Sequence, residues 1–250
     1  MQAELATMAP SGAAELIRNA VALIFDVDGT LAETEELHRR AFNHAFARHG
    51  LDWHWDRVAY KDLLRVTGGK ERIRAFHTRQ WIAPPLSDAD IAVLHRIKTA
   101  HYAELVETGC CALRPGVTEL LIAAKARGQR LAIATTTSHG NIGALLSRAL
   151  GTRWAADFDA IVAGDDVRHK KPAPDVYLEV LARLKLAPSD CVAIEDSANG
   201  LIAASRADIP VLITRSLYFR DDDFSAARVV LDDLSELAAE PKTAKQPHAQ

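Results

Sequence analysis

Two carboxylates two residues apart, in Asp26-Val27-Asp28-Gly29-Thr30, follow the apolar run Val21-Ala22-Leu23-Ile24-Phe25. Such a run reads as a strand buried on both faces, and it delivers its last residues to the carboxyl edge of a sheet, where open α/β folds keep their ligands. With the strand ending near Phe25, both side chains stand on the loop, able to point into one cleft and share a hard, oxygen-seeking cation such as Mg²⁺. Gly29 lets the backbone turn away sharply. Alone, a D-x-D-G stretch is equally an acidic turn, since short motifs recur by chance.

Three later segments carry complementary groups, each again after an apolar run. Leu131-Ala132-Ile133-Ala134 leads into Thr135-Thr136-Thr137-Ser138, whose hydroxyls and backbone N–H groups ahead of a predicted helix form either an anion site or ordinary helix caps. Residues 158–162 lead to Gly164-Asp165-Asp166 and then to His169-Lys170-Lys171-Pro172-Ala173-Pro174-Asp175, where Pro172 suits the first turn of a helix and Lys171 stands just ahead of it. Cys191-Val192-Ala193-Ile194 ends in Glu195-Asp196-Ser197, a second carboxylate pair at a strand end that on its own also fits helix-capping acid.

In this order the four blocks resemble the haloacid-dehalogenase superfamily of phosphotransferases, over residues 21–215. The resemblance implies Asp26 as nucleophile, Asp28 as general acid and base, and Thr135 and Lys171 as holders of the transferred phosphoryl group. It also implies a Mg²⁺ site among Asp26, Asp28, Glu195 and Asp196. Both Lys170 and Lys171 are available, and the family pattern, with its lysine directly before the proline, selects Lys171. The chemistry is consistent with these assignments, because a carboxylate attacks a phosphate dianion only where a cation and hydrogen-bond donors cancel their repulsion. Asp28, which must give a proton and then take one, is expected to titrate nearer neutrality than a free carboxyl.

The elements that must position these groups follow from the gaps between them. Asp26 and Thr135 lie 109 positions apart, whereas a strand-helix unit needs about 30 residues. The excess, residues 33–111, has helical periodicity, as in Leu37, Ala41 and Ala45 with Phe42 and Phe46 alongside, and later Ile91, Leu94 and Ile97. The expectation is an α/β fold: a doubly wound parallel sheet over residues 21–32 and 112–240, with residues 33–111 inserted as a helical cap. Residues 1–20 read as a short extension, partly helical, without the basic start and apolar core of a secretory signal, and residues 241–250 as a mobile tail.

A net charge of −3 leaves no nucleic-acid footprint, and no run approaches the roughly 18 apolar residues of a membrane span. Three cysteines, Cys110 and Cys111 adjacent and Cys191 in a strand, form no framework of bridges and fit a reducing, cytoplasmic compartment. A monomer without nucleic-acid or membrane partners is expected.

In the cap, Arg65-Val66-Thr67-Gly68-Gly69-Lys70-Glu71-Arg72-Ile73-Arg74 sets two glycines and flanking cations before a predicted helix. Thr67, Gly68, Gly69, Lys70 and Arg74 make a candidate grip for a second anion that is bound but not transferred. The bland alternative is a glycine turn beside a solvated basic face. Glu33 and His38, early in the first cap helix, are placed to reach the cleft and meet sugar hydroxyls, with Thr136 and Thr137 opposite. Together with Trp53-His54-Trp55-Asp56-Arg57, these stretches are similar to the CbbY branch of the superfamily. That likeness implies a phosphorylated-sugar substrate and removal of the 1-phosphate of xylulose-1,5-bisphosphate. A phosphomutase of the β-phosphoglucomutase kind, a phosphoglycolate-type phosphatase and a non-catalytic binding protein on the same fold are the rival readings.

Overall fold

Six short apolar runs become six parallel strands: β1 (Ala22–Phe25), β2 (Arg130–Ala134), β3 (Ala160–Val162), β4 (Cys191–Glu195), β5 (Val211–Thr214) and β6 (Val229–Leu231). The computed structural model describes residues 10–80, 86–109 and 111–237. The helices described are α1 (Pro10–Asn19), α2 (Glu35–Arg48), α3 (Arg57–Leu63), α4 (Gly69–Gln80), α5 (Asp88–Glu107), α6 (Val117–Ala126), α7 (His139–Leu150), α8 (Asp175–Leu184) and α9 (Ala198–Arg206). None of them is long and apolar enough to cross a membrane.

Strand alternation divides the core into two layers. Leu23, Phe25, Leu131, Ile133, Val192 and Ile194 face Ile17 of α1, Leu120 of α6 and Leu145 of α7. Ala22, Ile24, Ala132, Ala193 and Ile213 face Val176 and Val180 of α8 and Leu201 and Ala204 of α9. Both faces are therefore covered, as a parallel sheet requires, and each fully buried Leu, Ile or Phe contributes roughly 1.5–3 kcal/mol. The N-terminal extension takes part in this packing through α1, whose Ala13 and Ile17 are buried.

The strand order is β3-β2-β1-β4-β5-β6. Chain progression reverses between β1 and β4, so the loops leaving their carboxyl ends diverge and open a crevice there. Those loops carry Asp26 and Asp196. The backbone N–H of Asp26 donates to the Ile194 carbonyl at 3.0 Å, which holds the two strand ends level.

Helices α2 to α5 enclose an aromatic core of their own, with the Trp55 ring 4.8 Å from Phe42 and 4.7 Å from Phe46. Tyr218, in the loop after β5, packs edge-on against Tyr60 and donates to Glu36, which ties this cap to the sheet. Where the chain returns, the buried Arg114 guanidinium spends its donors on the carbonyls of Gly29, Arg215 and Asp232. Several edges differ from expectation. Strand β3 starts at Ala160 because the Asp159 carboxylate turns to accept from Arg130 and the Leu131 N–H. Pro172 does not open a helix: two prolines in three residues remove the donors of a first turn, and α8 begins at Asp175. The segment 241–250 and Cys110 lie outside the described residues.

Candidate active site

The floor of the crevice is an ion cluster. Lys171 Nζ lies 2.6 Å from Asp26 Oδ1, 2.5 Å from Glu195 Oε1 and 2.8 Å from the Ala134 carbonyl, and all four groups are buried. Tyr177, from α8, donates to the same Glu195 oxygen at 2.5 Å. Burying each of these ions costs several kcal/mol, so they persist only because each satisfies the others. Burial opposes the charge on Lys171, but Asp26 and Glu195 outweigh it and hold the ammonium protonated. Lys170 points elsewhere and pairs with Glu71 of the cap at 2.8 Å. The geometry thus separates the two lysines left adjacent by the sequence.

Asp26, Glu195 and Asp196 bring carboxylate oxygens within 4.8 Å of one another. Burial, then the neighbouring carboxylates, pushes Asp196 well above the ordinary carboxyl range, and burial raises Asp26 to about 8 despite Lys171. Asp196 Oδ2 is buried with no hydrogen-bond partner. An all-oxygen, net-negative, partly unsatisfied donor set fits a hard divalent cation such as Mg²⁺ and suits zinc poorly.

The Asp28 carboxylate stands outside that three-residue cluster, in contrast to its expected place among the metal carboxylates. Its Oδ1 accepts from Thr34 Oγ1 at 2.5 Å and meets His38 Nε2 at 2.9 Å, while Lys98 Nζ lies 2.7 Å from His38 Nδ1. An ammonium only donates, so Nδ1 is the acceptor and Nε2–H points at Asp28. Burial raises the Asp28 pKa, yet His38, Thr34 and Lys98 outweigh it and hold the carboxyl well below its ordinary range. In place of the expected near-neutral Asp28, the site holds this carboxyl ionised. Burial lowers Lys98 itself to about 8.

Above the floor is a cleft between the sheet edge and helices α2 to α5, partly open to solvent. Thr135, Thr136 and Thr137 line its core side. The Ser138 side chain caps α7 by accepting from Asn141, and the Thr137 hydroxyl accepts from the Asn141 side chain. The cap side carries Thr67, Gly68, Gly69 and Lys70. Thr67 Oγ1 donates to the Lys171 carbonyl, joining cap to core, and Lys70 pairs with Asp165 at 3.5 Å.

Three expected cap residues stand apart from the cleft wall. Glu33 accepts from the Leu217 N–H at 3.1 Å and pairs with Arg114 at 3.5 Å, drawn to the return point of the chain. Arg74 pairs with Asp88 at 2.6 Å on the surface. Five residues carry it about 7.5 Å along α4 from Gly69, and the buried Arg72 lines the cleft in its place. His38 lies behind Asp28 with both ring nitrogens engaged.

Thr34, His95, Lys98 and Tyr177 escaped the sequence reading. Lys98 had one available signal: it interrupts the stripe Ile91, Leu94, Lys98, Tyr102, Leu105 on the buried side of α5, where a solvated lysine has no place.

Residues 21–208 match the haloacid dehalogenase-like hydrolase family. The chain is 53% identical to protein CbbY of Rhodobacter capsulatus across 88% of this chain and 96% of that one. The crystal structure of CbbY from Rhodobacter sphaeroides in complex with phosphate superposes with a TM-score of 0.83 at 49% identity, covering 87% of this chain and 96% of that one. A mutant of that protein, in complex with xylulose-(1,5)bisphosphate, superposes equally well at 47% identity and the same coverage. A parallel sheet with carboxylates at its switch point, a lysine bridging them and this likeness over nearly the whole chain agree: the chain belongs to the haloacid dehalogenase-like hydrolases, among the CbbY proteins, and is a phosphoric monoester hydrolase.

Proposed function

We propose that this hydrolase is Mg²⁺-dependent and removes the 1-phosphate of xylulose-1,5-bisphosphate, giving xylulose 5-phosphate, by way of an aspartyl phosphate on Asp26. The observation that carries the reading is a single cleft with Asp26 and Lys171 on its floor and Lys70 and Arg72 on its roof, which is the layout a molecule with two phosphates requires. The ligand of the Rhodobacter sphaeroides relative supports the same substrate.

Asp26, Glu195 and Asp196 would hold the cation. When bound, it supplies positive charge that keeps Asp26 ionised and shields it from the incoming dianion. Lys171 aligns the attacking Asp26 oxygen, and Thr135 with the backbone N–H groups after β2 binds the phosphoryl oxygens. Asp26 forms a bond to phosphorus as the bond to the sugar oxygen breaks, and Asp28 gives its proton to that oxygen. Like-charge repulsion from the arriving phosphate raises the Asp28 pKa against the pull of His38, Thr34 and Lys98, and Asp28 takes from solvent, as the substrate enters, the proton it then delivers. Asp28 then takes a proton from water as that water attacks phosphorus, releasing phosphate and restoring Asp26.

Residues 33–111 serve in this reading as a cap over a core of residues 21–32 and 112–240, in a monomeric cytoplasmic enzyme. Phosphate release from a panel of sugar mono- and bisphosphates with Mg²⁺ tests it. Preferred turnover of xylulose-1,5-bisphosphate, with xylulose 5-phosphate as product, is expected. Equal turnover of phosphoglycolate, or transfer of the phosphate to a second sugar position, overturns it.

A further inference from the structure

The expected readers of the substrate hydroxyls, Glu33 and His38, do not line the cleft, so selection among sugars must come from another group. The cap wall offers few. Glu35 accepts from Tyr60, Thr67 donates to the Lys171 carbonyl, and Lys70 pairs with Asp165. Arg72 donates to the Leu63 carbonyl and to Tyr60, and Lys98 to His38. His95, on α5 one turn before Lys98, lines the same cleft, and no hydrogen bond or ion pair engages its ring nitrogens among the described residues.

We infer that His95 is a specificity residue, hydrogen-bonding through its imidazole the sugar hydroxyl whose configuration separates one ketose 1,5-bisphosphate from its epimer. The inference rests on the proposed sugar-bisphosphate reading and adds the group that tells such sugars apart. Two phosphates are common to both epimers, so the cationic floor and roof cannot distinguish them. A partly buried ring with unspent polar atoms can, because the wrong epimer leaves those atoms unpaired.

Two features suit the ring to that task. Burial, reinforced by Lys98, Lys70 and Lys170, lowers its pKa to about 4 although Asp165 opposes the shift, so the ring is neutral at working pH. A neutral imidazole offers one donor and one acceptor, the complement of a hydroxyl. The second feature is a backstop. A Cβ on Gly69 would lie 2.9 Å from His95 Cδ2 and Nε2, so the second glycine of the Thr67–Lys70 loop leaves the space in which the ring sits.

Calorimetric titration of the Asp26→Asn protein with Mg²⁺ present, using xylulose- and ribulose-1,5-bisphosphate in turn, tests the inference without relying on turnover. A preference for the xylulose sugar is expected. His95→Ala should reduce that preference at least about tenfold, mainly by weakening the xylulose sugar, and leave inorganic phosphate binding unchanged. His95→Gln, which keeps a donor and an acceptor, should restore part of it. Gly69→Ala, which keeps the imidazole but displaces it, should lower the preference as well and covers the case in which His95→Ala fails to fold. A preference unaltered by these changes, or an equal loss for both sugars and for phosphate, overturns the role of His95 alone. Failure to bind either bisphosphate overturns that role together with the proposed substrate.

Discussion

Gly29 and Asp196 are so close that a Cβ on the glycine would lie 1.9 Å from Asp196 Oδ2. Gly29 also has φ +83°, a region costing an L-residue ~1–2 kcal/mol. The turn that follows the first carboxylate block therefore exists in this form to admit the last one. Gly29→Ala should lower stability by ~1–2 kcal/mol and, by displacing Asp196, raise the Mg²⁺ concentration for half-maximal activity at least about tenfold. Thermal melting and a Mg²⁺ titration of activity check both; an unchanged Mg²⁺ requirement would detach Asp196 from the cation site. Gly200 stands in the same relation to Glu195.

Asp26→Asn should remove nearly all turnover with the fold intact, because an amide is no phosphoryl acceptor. A loss above about a hundredfold, ~2.7 kcal/mol in the barrier, is expected in kcat with circular dichroism unchanged. Asp28→Asn should instead let the phosphorylated enzyme form from substrates with good leaving groups and slow its hydrolysis, seen as a burst of released alcohol.

The pH dependence of the metal-free protein has a definite sign. Asp26 is raised by burial from the ordinary carboxyl range to about 8, so between those values the folded state binds more protons than the unfolded one. Stability from this group falls as pH rises through that window. Addition of Mg²⁺ should offset the fall, and the metal should bind more tightly as pH increases because it displaces protons. Urea midpoints from pH 5 to 8, with chelator and with Mg²⁺, check this. A chelated protein whose midpoint rises relative to that of Asp26→Asn across the window would contradict it.

Glu36 has the opposite sign. Hydrogen bonds from Arg39, then from Tyr218 and Arg57, lower it to about 2 against a smaller opposing effect of burial. Its contribution is fully present above the unfolded value of 4.5 and is lost as pH falls toward 2. The stability gap between the native protein and Glu36→Gln should narrow below about pH 4.5, because the Glu36 contact with Tyr218 couples cap to core.

Lys70 and Arg74 should part company. Lys70→Ala is expected to cost ~1–3 kcal/mol in kcat/KM for a bisphosphate and little for a small monophosphate, whereas Arg74→Ala, paired with Asp88 at the surface, should change neither. A comparable loss from Arg74→Ala would return that side chain to the substrate.

By itself the sequence determined the strand-end blocks. A buried strand is a continuous apolar run, its end is marked by the first polar residues, and a parallel sheet gathers all such ends on one edge; Asp26, Thr135 and Asp196 were legible for that reason, whereas Lys171, nine residues beyond β3, was singled out from Lys170 only by the family pattern of a lysine before a proline. The inserted helices were legible too, from the 3.6-residue period of Leu37, Ala41 and Ala45. Only the tertiary structure decided which polar residues of those helices face the cleft. Lys98 and His95 approach the core from α5, some 70 residues after Asp28, through the rotation of one helix against another, to which no local pattern of charges is sensitive. The same holds for Glu33 and Arg74. Each has the right charge near the right motif, but Arg114 and Asp88, distant partners brought close by folding, claim them first.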